Sequence, residues 1–177
     1  FRSRMREEGL ESVDELQSYM IHRIEKWLNA RGRQIIGWDE ILEGGLAPNA
    51  TVMSWRGEEG GRAAAAAGHD VIMSPHGYCY IDAPQDAPYS QPESIGGYLP
   101  LEKVYSYNPV PESLDAEVAR YIRGVQANLW AEFIVTDEHW LHHGYAIIGK
   151  LLHKIFDEDG TLVNNLLVQS LEQTNGH

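Results

Sequence analysis

Apolar residues recur at helical spacing near the start of the chain: Val13, Leu16, Met20, Ile24, Trp27 and Leu28 fall on one face of an α-helix. Ser12 followed three positions later by Glu15 predicts the start of that helix as a capping box, and Gly32 predicts its stop. The pattern then changes to short apolar runs. Gln34-Ile35-Ile36-Gly37 predicts a strand that ends at Trp38-Asp39-Glu40, and the Gly, Pro and Asn between Glu43 and Asn49 predict a loop. Thr51-Val52-Met53-Ser54 predicts a second strand, ending at Trp55-Arg56-Gly57. The alanines from Gly61 to Ala67 predict a helix that closes at Gly68.

Asp70 to Ser74 predicts a third strand, followed by Tyr78-Cys79-Tyr80-Ile81-Asp82. Ala83 to Pro111 carries most of the prolines and reads as one long irregular excursion, which in a compact domain usually serves a function. Ser113 to Arg123 predicts a helix, and Gly124 to Leu129 a fourth strand ending at Trp130-Ala131-Glu132. Leu141, Tyr145, Ile148, Leu152 and Ile155 predict a further helix; Asp157 to Gly160 makes a turn, and Leu162 to Leu171 predicts a last helix. Strands alternating with helices predict parallel β/α units. The fold class expected is therefore α/β, and four strands are too few to close an eight-stranded barrel.

Composition narrows the functions. The 177 residues are 43% hydrophobic and 23% charged, which suits a packed core and not a disordered chain. A formal net charge of −12, with no standout Lys/Arg cluster, opposes binding to nucleic acid or an anionic membrane. No apolar run approaches the roughly 18 residues of a membrane span, and the first residues lack a signal-peptide pattern. The single Cys79 excludes an internal disulfide and a cysteine-based zinc site. Because residue 1 is Phe rather than Met, the true start of the gene product is expected upstream.

The candidate chemistry lies at the strand ends. Trp38, Trp55, Tyr80 with Asp82, and Trp130 with Glu132 each follow a predicted strand, and in a β/α barrel those ends converge on the face that carries the active site. Aromatic walls with a few carboxylates suit a sugar: indole packs on the C–H faces of the ring, while carboxylates accept from its hydroxyls.

Five runs then carry a family resemblance: Gly37-Trp38-Asp39-Glu40-Ile41-Leu42, Ser54-Trp55-Arg56-Gly57, Tyr80-Ile81-Asp82, Gly96-Gly97-Tyr98-Leu99-Pro100-Leu101, and Gln126-Ala127-Asn128-Leu129-Trp130-Ala131-Glu132. In this order they resemble family 20 glycoside hydrolases, the β-N-acetylhexosaminidases, over residues 1–138. The resemblance implies a TIM barrel, of which this stretch is the carboxyl-terminal half, roughly strands 5 to 8 with their helices. It implies hydrolysis of terminal, non-reducing N-acetylhexosamine from β-linked glycans by substrate-assisted, retaining catalysis, an exception to the two-carboxylate pattern. No metal or other cofactor is implied. Residues 139–177 do not match: the family continues with a His-x-Glu-Tyr-Met run, whereas here His139 precedes Trp140-Leu141-His142-His143. That tail reads as a divergent final helix, an altered gene end or a fusion.

The resemblance also assigns roles. Trp38, Trp55 and Trp130 would enclose the acetamido methyl and the apolar face of the sugar. Tyr80 would hydrogen-bond the acetamido oxygen, stabilising the charge that develops on it. Asp82 and Glu132 would accept from the hydroxyls at C4 and C6. The family's general acid belongs to a His-x-Gly-Gly-Asp-Glu run that these 177 residues do not contain and that the family places upstream. The chain alone is therefore expected to be inactive. Enzymes of this kind often act outside the cytoplasm or in lysosomes, so an extracytoplasmic location is what the resemblance favours.

Each reading has a plainer counterpart. A tryptophan commonly fills a core, and Asp82 and Glu132 could be solvated surface acids. The Asp39-Glu40 pair invites assignment as an acid/base dyad. Neighbours on a strand point to opposite faces, so only one of the pair could enter the site; the pair is read as support for the loop after the strand, with a ligand contact by one of them as the alternative, and Arg56 as pairing a nearby carboxylate. Asn49-Ala50-Thr51 fits a glycosylation acceptor by a frequent chance pattern. His142, His143 and His153 lack metal-ligand spacing, and Cys79 has no evident histidine partner. An open half-barrel would expose apolar surface and strand edges that promote self-association. Three classes stay in play: the hexosaminidase, a catalytically inactive carbohydrate-binding half-barrel, and an unrelated β/α domain with core tryptophans.

Overall fold

The computed structural model describes residues 1–110 and 113–138. In chain order its elements are α1 (Arg2–Glu8), α2 (Val13–Asn29), β1 (Ile36–Trp38), a 3₁₀ turn (Asp39–Leu42), β2 (Thr51–Ser54) and α3 (Glu59–Ala66). There follow β3 (Val71–Met73), the single turn α4 (His76–Cys79), a second 3₁₀ turn (Pro88–Ser90), α5 (Leu101–Ser106), α6 (Ala116–Ala119) and β4 (Ile122–Val125). The four strands form one sheet in the order β1-β2-β3-β4. β1 runs parallel to β2, and β2 parallel to β3, with Trp38 opposite Met53 and Ser54 opposite Met73. The described residues fold as two compact units, Phe1–His76 with Pro109–Arg123, and Gly77–Asn108 with the described residues from Gly124.

In the first unit, β2 and β3 supply a fully buried centre of Val52, Met73 and Val71, covered by Ala64 and Ala65 of α3. The close approach of α3 depends on Gly61: a β-carbon there would lie 2.8 Å from Met73 Sδ and 2.9 Å from Ser54 Cβ. Ser54, also fully buried, has its hydroxyl satisfied on both sides. It accepts from the Gly61 amide at 2.9 Å and donates to the Gly57 carbonyl at 2.7 Å.

α2 begins as its cap predicts, with the Ser12 hydroxyl accepting from the Glu15 amide at 3.1 Å. The Glu15 carboxylate accepts not from Ser12 but from the Glu11 amide, at 2.7 Å. Of the apolar stripe, Leu16 is buried, whereas Val13 is 66% and Trp27 56% exposed, and Met20 and Ile24 also face solvent. The guanidinium of Arg31 lies 3.7 Å over the Trp27 ring. Besides Leu16, what α2 turns inward is polar. Its Gln17 donates to the Glu40 carbonyl at 2.8 Å, Ser18 donates to the Gly45 carbonyl at 2.6 Å, and Glu25 accepts from the Asn49 amide at 2.5 Å. Gly44, at φ +73°, lies against the main chain of Asp14, where a β-carbon would collide.

The second unit is built on Ile81, Ala83, Leu99 and Val104, with Leu101, Ala127 and Leu129 packed against them. Its parallel bridge joins Tyr80 to Asn128: the Ile81 amide donates to the Asn128 carbonyl at 2.8 Å, and the Asn128 amide to the Cys79 carbonyl at 2.7 Å. Cys79 is buried.

Several boundaries differ from those read in the sequence. β1 starts and ends later than Gln34–Gly37, because Gly37 and Trp38 take ladder positions opposite Val52 and Met53. The helix predicted over Ser113–Arg123 contracts to Ala116–Ala119, capped by Asp115 accepting from the Glu117 amide at 2.7 Å. The segment past it is claimed by the sheet: Val71 donates to the Tyr121 carbonyl at 2.9 Å, and β4 begins at Ile122, two residues before the predicted start. The excursion from Ala83 is not wholly irregular, since it contains the turn at Pro88–Ser90 and α5. The expected tail helices lie outside the described residues.

Candidate active site

Trp38 ends β1, and Trp55 follows the last residue of β2; as the two strands are parallel neighbours, the tryptophans emerge at the same edge of the sheet. Both are half-buried. Asp39 and Glu40 leave β1 on the 3₁₀ turn rather than on a strand, so the rule of alternating faces does not govern them. Both carboxylates serve the Trp55-Arg56 dipeptide.

Asp39 is 2% exposed and uses both of its oxygens. Oδ1 accepts from Arg56 Nε at 2.6 Å, and Oδ2 accepts from the main-chain amides of Trp55 and Arg56 at 3.2 and 3.3 Å. Arg56 also reaches Glu43 Oε1 at 2.6 Å. Glu43, then Asp39, hold the guanidinium even more firmly protonated than usual. Glu40 takes the other end of the tryptophan: the indole Nε1–H of Trp55 donates to its two oxygens at 2.9 and 3.1 Å. The reading of Asp39, Glu40 and Arg56 as support for the loop thus has a geometry.

His76 completes the surroundings of Trp55. Its amide donates to the Trp55 carbonyl at 2.8 Å, its Nδ1 lies 3.2 Å from that oxygen, and its ring meets the indole edge-on with centroids 6.3 Å apart. Sequence reasoning passed over His76. The local signal was a histidine two residues past a strand, which by itself points nowhere.

In the second unit the Tyr80–Asn128 bridge sets the remaining candidates side by side. The rings of Tyr80 and Trp130 lie 6.1 Å apart at 52°. Gln126 donates to the Asn128 side chain at 2.9 Å, which steadies the strand end that carries Trp130. Asp82 is 5% exposed, and its Oδ1 is buried with no hydrogen-bond partner among the described residues. Burial pushes its carboxyl up to about 6; a backbone hydrogen bond opposes this, and the negative charge of Glu132 adds to it. Glu132 itself is exposed. A buried acceptor left open within reach of an exposed acid, two residues past a tyrosine whose ring lies against Trp130, suits a polyhydroxylated ligand.

Among the described residues, no three His, Cys, Asp or Glu side chains gather so as to hold a metal ion. His142, His143 and His153 lie outside those residues. No described helix is long and apolar enough to cross a membrane.

A sheet in which Trp38 ends β1 and Trp55 follows its parallel neighbour β2 is of a class that comparison with known proteins identifies. The chain belongs to glycosyl hydrolase family 20: the model of that family's catalytic domain matches residues 1–146. It is 57% identical over 145 residues to a beta-hexosaminidase of Porphyromonas gingivalis, covering 81% of this chain and 19% of that protein. It is 35% identical to a beta-hexosaminidase of Vibrio furnissii, over 73% of this chain and 22% of the relative. Among solved structures it resembles the exo-β-N-acetylglucosaminidase of Vibrio harveyi in complex with N-acetylglucosamine, with a TM-score of 0.71 and 29% identity, over 83% of this chain and 24% of that one. The chain thus spans about a fifth of the length of the curated relatives it matches. Its fold is part of a (β/α)8 TIM barrel.

Proposed function

We propose that this chain supplies sugar-binding strand ends of a β-N-acetylhexosaminidase, which removes terminal, non-reducing N-acetylhexosamine from β-linked glycans. The observation that carries the reading is the open, buried Oδ1 of Asp82, under the charge of Glu132, in the unit where the Tyr80 and Trp130 rings meet. Burying an acceptor without a partner costs about 1–3 kcal/mol, and a sugar hydroxyl that donates to it recovers that cost.

In this reading Trp38, Trp55 and Trp130 enclose the acetamido methyl and the apolar face of the sugar. Asp82 and Glu132 accept from its C4 and C6 hydroxyls. Tyr80 donates its hydroxyl proton in a hydrogen bond to the acetamido oxygen while that oxygen attacks the anomeric carbon of its own ring. The leaving oxygen takes a proton from an Asp-Glu pair of the His-x-Gly-Gly-Asp-Glu type, which does not occur in these 177 residues. Water then opens the oxazolinium with overall retention. The substrates of such an enzyme lie in glycans at the cell surface or beyond, which supports an extracytoplasmic place of action.

The missing acid run favours a second reading for the 177 residues taken alone: binding of the sugar without turnover. The test is a fluorescence titration of the chain with N-acetylglucosamine or its thiazoline analogue, beside an assay with an aryl N-acetylglucosaminide. Saturable binding without turnover is expected. Absence of binding would leave an α/β domain with structural tryptophans, and turnover lost on Tyr80→Phe would contradict the assignment of the acid.

A further inference from the structure

Trp55 is held at each point where it could turn. Its amide donates to Asp39, its carbonyl accepts from His76, and its indole N–H donates to both oxygens of Glu40. The last contact is the informative one. Trp55 is only half-buried, so packing alone does not fix its ring, and the bond to Glu40 supplies a constraint on its plane. Glu40 is likewise half-buried. Giving up part of its hydration for a charge-assisted contact to one indole gains orientation, because the two oxygens fix the direction of the N–H and so the plane of the ring. Asp39 supports the same residue from the main chain, so the adjacent acids divide the task between the backbone and the ring.

From this we infer that Glu40 is a positioning residue, which sets the plane of the Trp55 indole as a wall of the sugar pocket and touches no ligand atom itself. The inference rests on the reading that Trp55 lines that pocket. Its mechanism is preorganisation. An indole already in the bound orientation loses less rotamer freedom when the acetamido group packs on it, and that difference enters the affinity.

The test uses the chain labelled with ¹⁵N at its tryptophans, which gives one indole N–H signal for each of Trp27, Trp38, Trp55, Trp130 and Trp140, with that of Trp55 assigned through Trp55→Phe. Glu40→Leu removes the acceptor, whereas Glu40→Gln keeps a neutral one. The Trp55 signal is expected to move upfield in Glu40→Leu and less in Glu40→Gln, while the others stay. The Kd for N-acetylglucosamine should rise about tenfold in Glu40→Leu and only about threefold in Glu40→Gln. An unmoved signal overturns the inference; so does a raised Kd with an unmoved signal, since Glu40 would then be a direct ligand. If Glu40→Leu fails to fold, the signal in Glu40→Gln decides in the same way. Trp55→Ala separates the two layers: native affinity in that variant sinks the pocket reading, while lost affinity beside a native-like Glu40→Leu sinks the positioning role alone.

Discussion

Asp39 and Arg56 are joined twice, by a 2.6 Å contact from the guanidinium Nε to Oδ1 and by the Arg56 amide donating to Oδ2 at 3.3 Å. The carboxylate is buried and the arginine side chain is 45% exposed, so the acid is the half of the pair that cannot do without its partner. Asp39→Asn is expected to lower the free energy of unfolding by about 2 kcal/mol, as one charged acceptor becomes a neutral group holding one oxygen. Arg56→Ala should destabilise as well, since it strands a buried charge. Urea denaturation of the two variants measures both effects.

The aromatic pair in the second unit predicts a separation of binding from folding. Trp130 is half-buried, with its ring against that of Tyr80. Trp130→Ala should weaken binding of N-acetylglucosamine at least about tenfold while leaving the far-ultraviolet circular dichroism unchanged. A variant that binds normally would place this ring outside the pocket.

Asp82 gives the pH dependence. Its folded-state value of about 6 lies above the ordinary 3.8, so the folded chain holds the proton more tightly than the unfolded chain. Stability is therefore greatest below the unfolded value and falls as the pH rises from about 4 to 6, by at most about 3 kcal/mol. Asp82→Asn should abolish that slope. Sugar binding has the opposite sign, because the ionised carboxylate is the stronger acceptor. Affinity should climb as the pH passes 6 and stay flat in Asp82→Asn, which calorimetry at pH 5, 6 and 7 would resolve.

Gly61 predicts a steric cost. Gly61→Ala places a methyl group 2.8 Å from Met73 Sδ and 2.9 Å from Ser54 Cβ, and should cost about 1–3 kcal/mol despite the better helix propensity of alanine. Thermal unfolding followed by circular dichroism reads this directly. A neutral or stabilising result would mean that α3 can draw back from the sheet.

The alternation of strands and helices was legible because β2 and β3 are short runs centred on Val52-Met53 and Val71-Ile72-Met73, set off by Asn49, Gly57, Asp70 and Pro75, and because alanines marked α3. The tryptophans at the strand ends were legible for the same reason: a bulky aromatic directly after a short apolar run stands out. What sequence could not supply was depth. Asp82 and Glu132 look alike on paper, yet one is buried and the other exposed. Asp39 and Glu40 looked like neighbours on a strand, and only the 3₁₀ turn sends both to Trp55. The helix expected at Ser113–Arg123 failed because Tyr121 and Ile122 are recruited by the sheet, a long-range demand that local propensity does not register.

The bond from the Asn49 amide to Glu25 has a consequence for how the protein breathes. An amide docked on a buried carboxylate trades its proton with solvent only when α2 lifts away, so this turn should exchange deuterium on the timescale of the strands that flank it. The crossover from β1 to β2 would then behave as masonry, leaving whatever suppleness the proposed glycan capture requires to be sought in other segments.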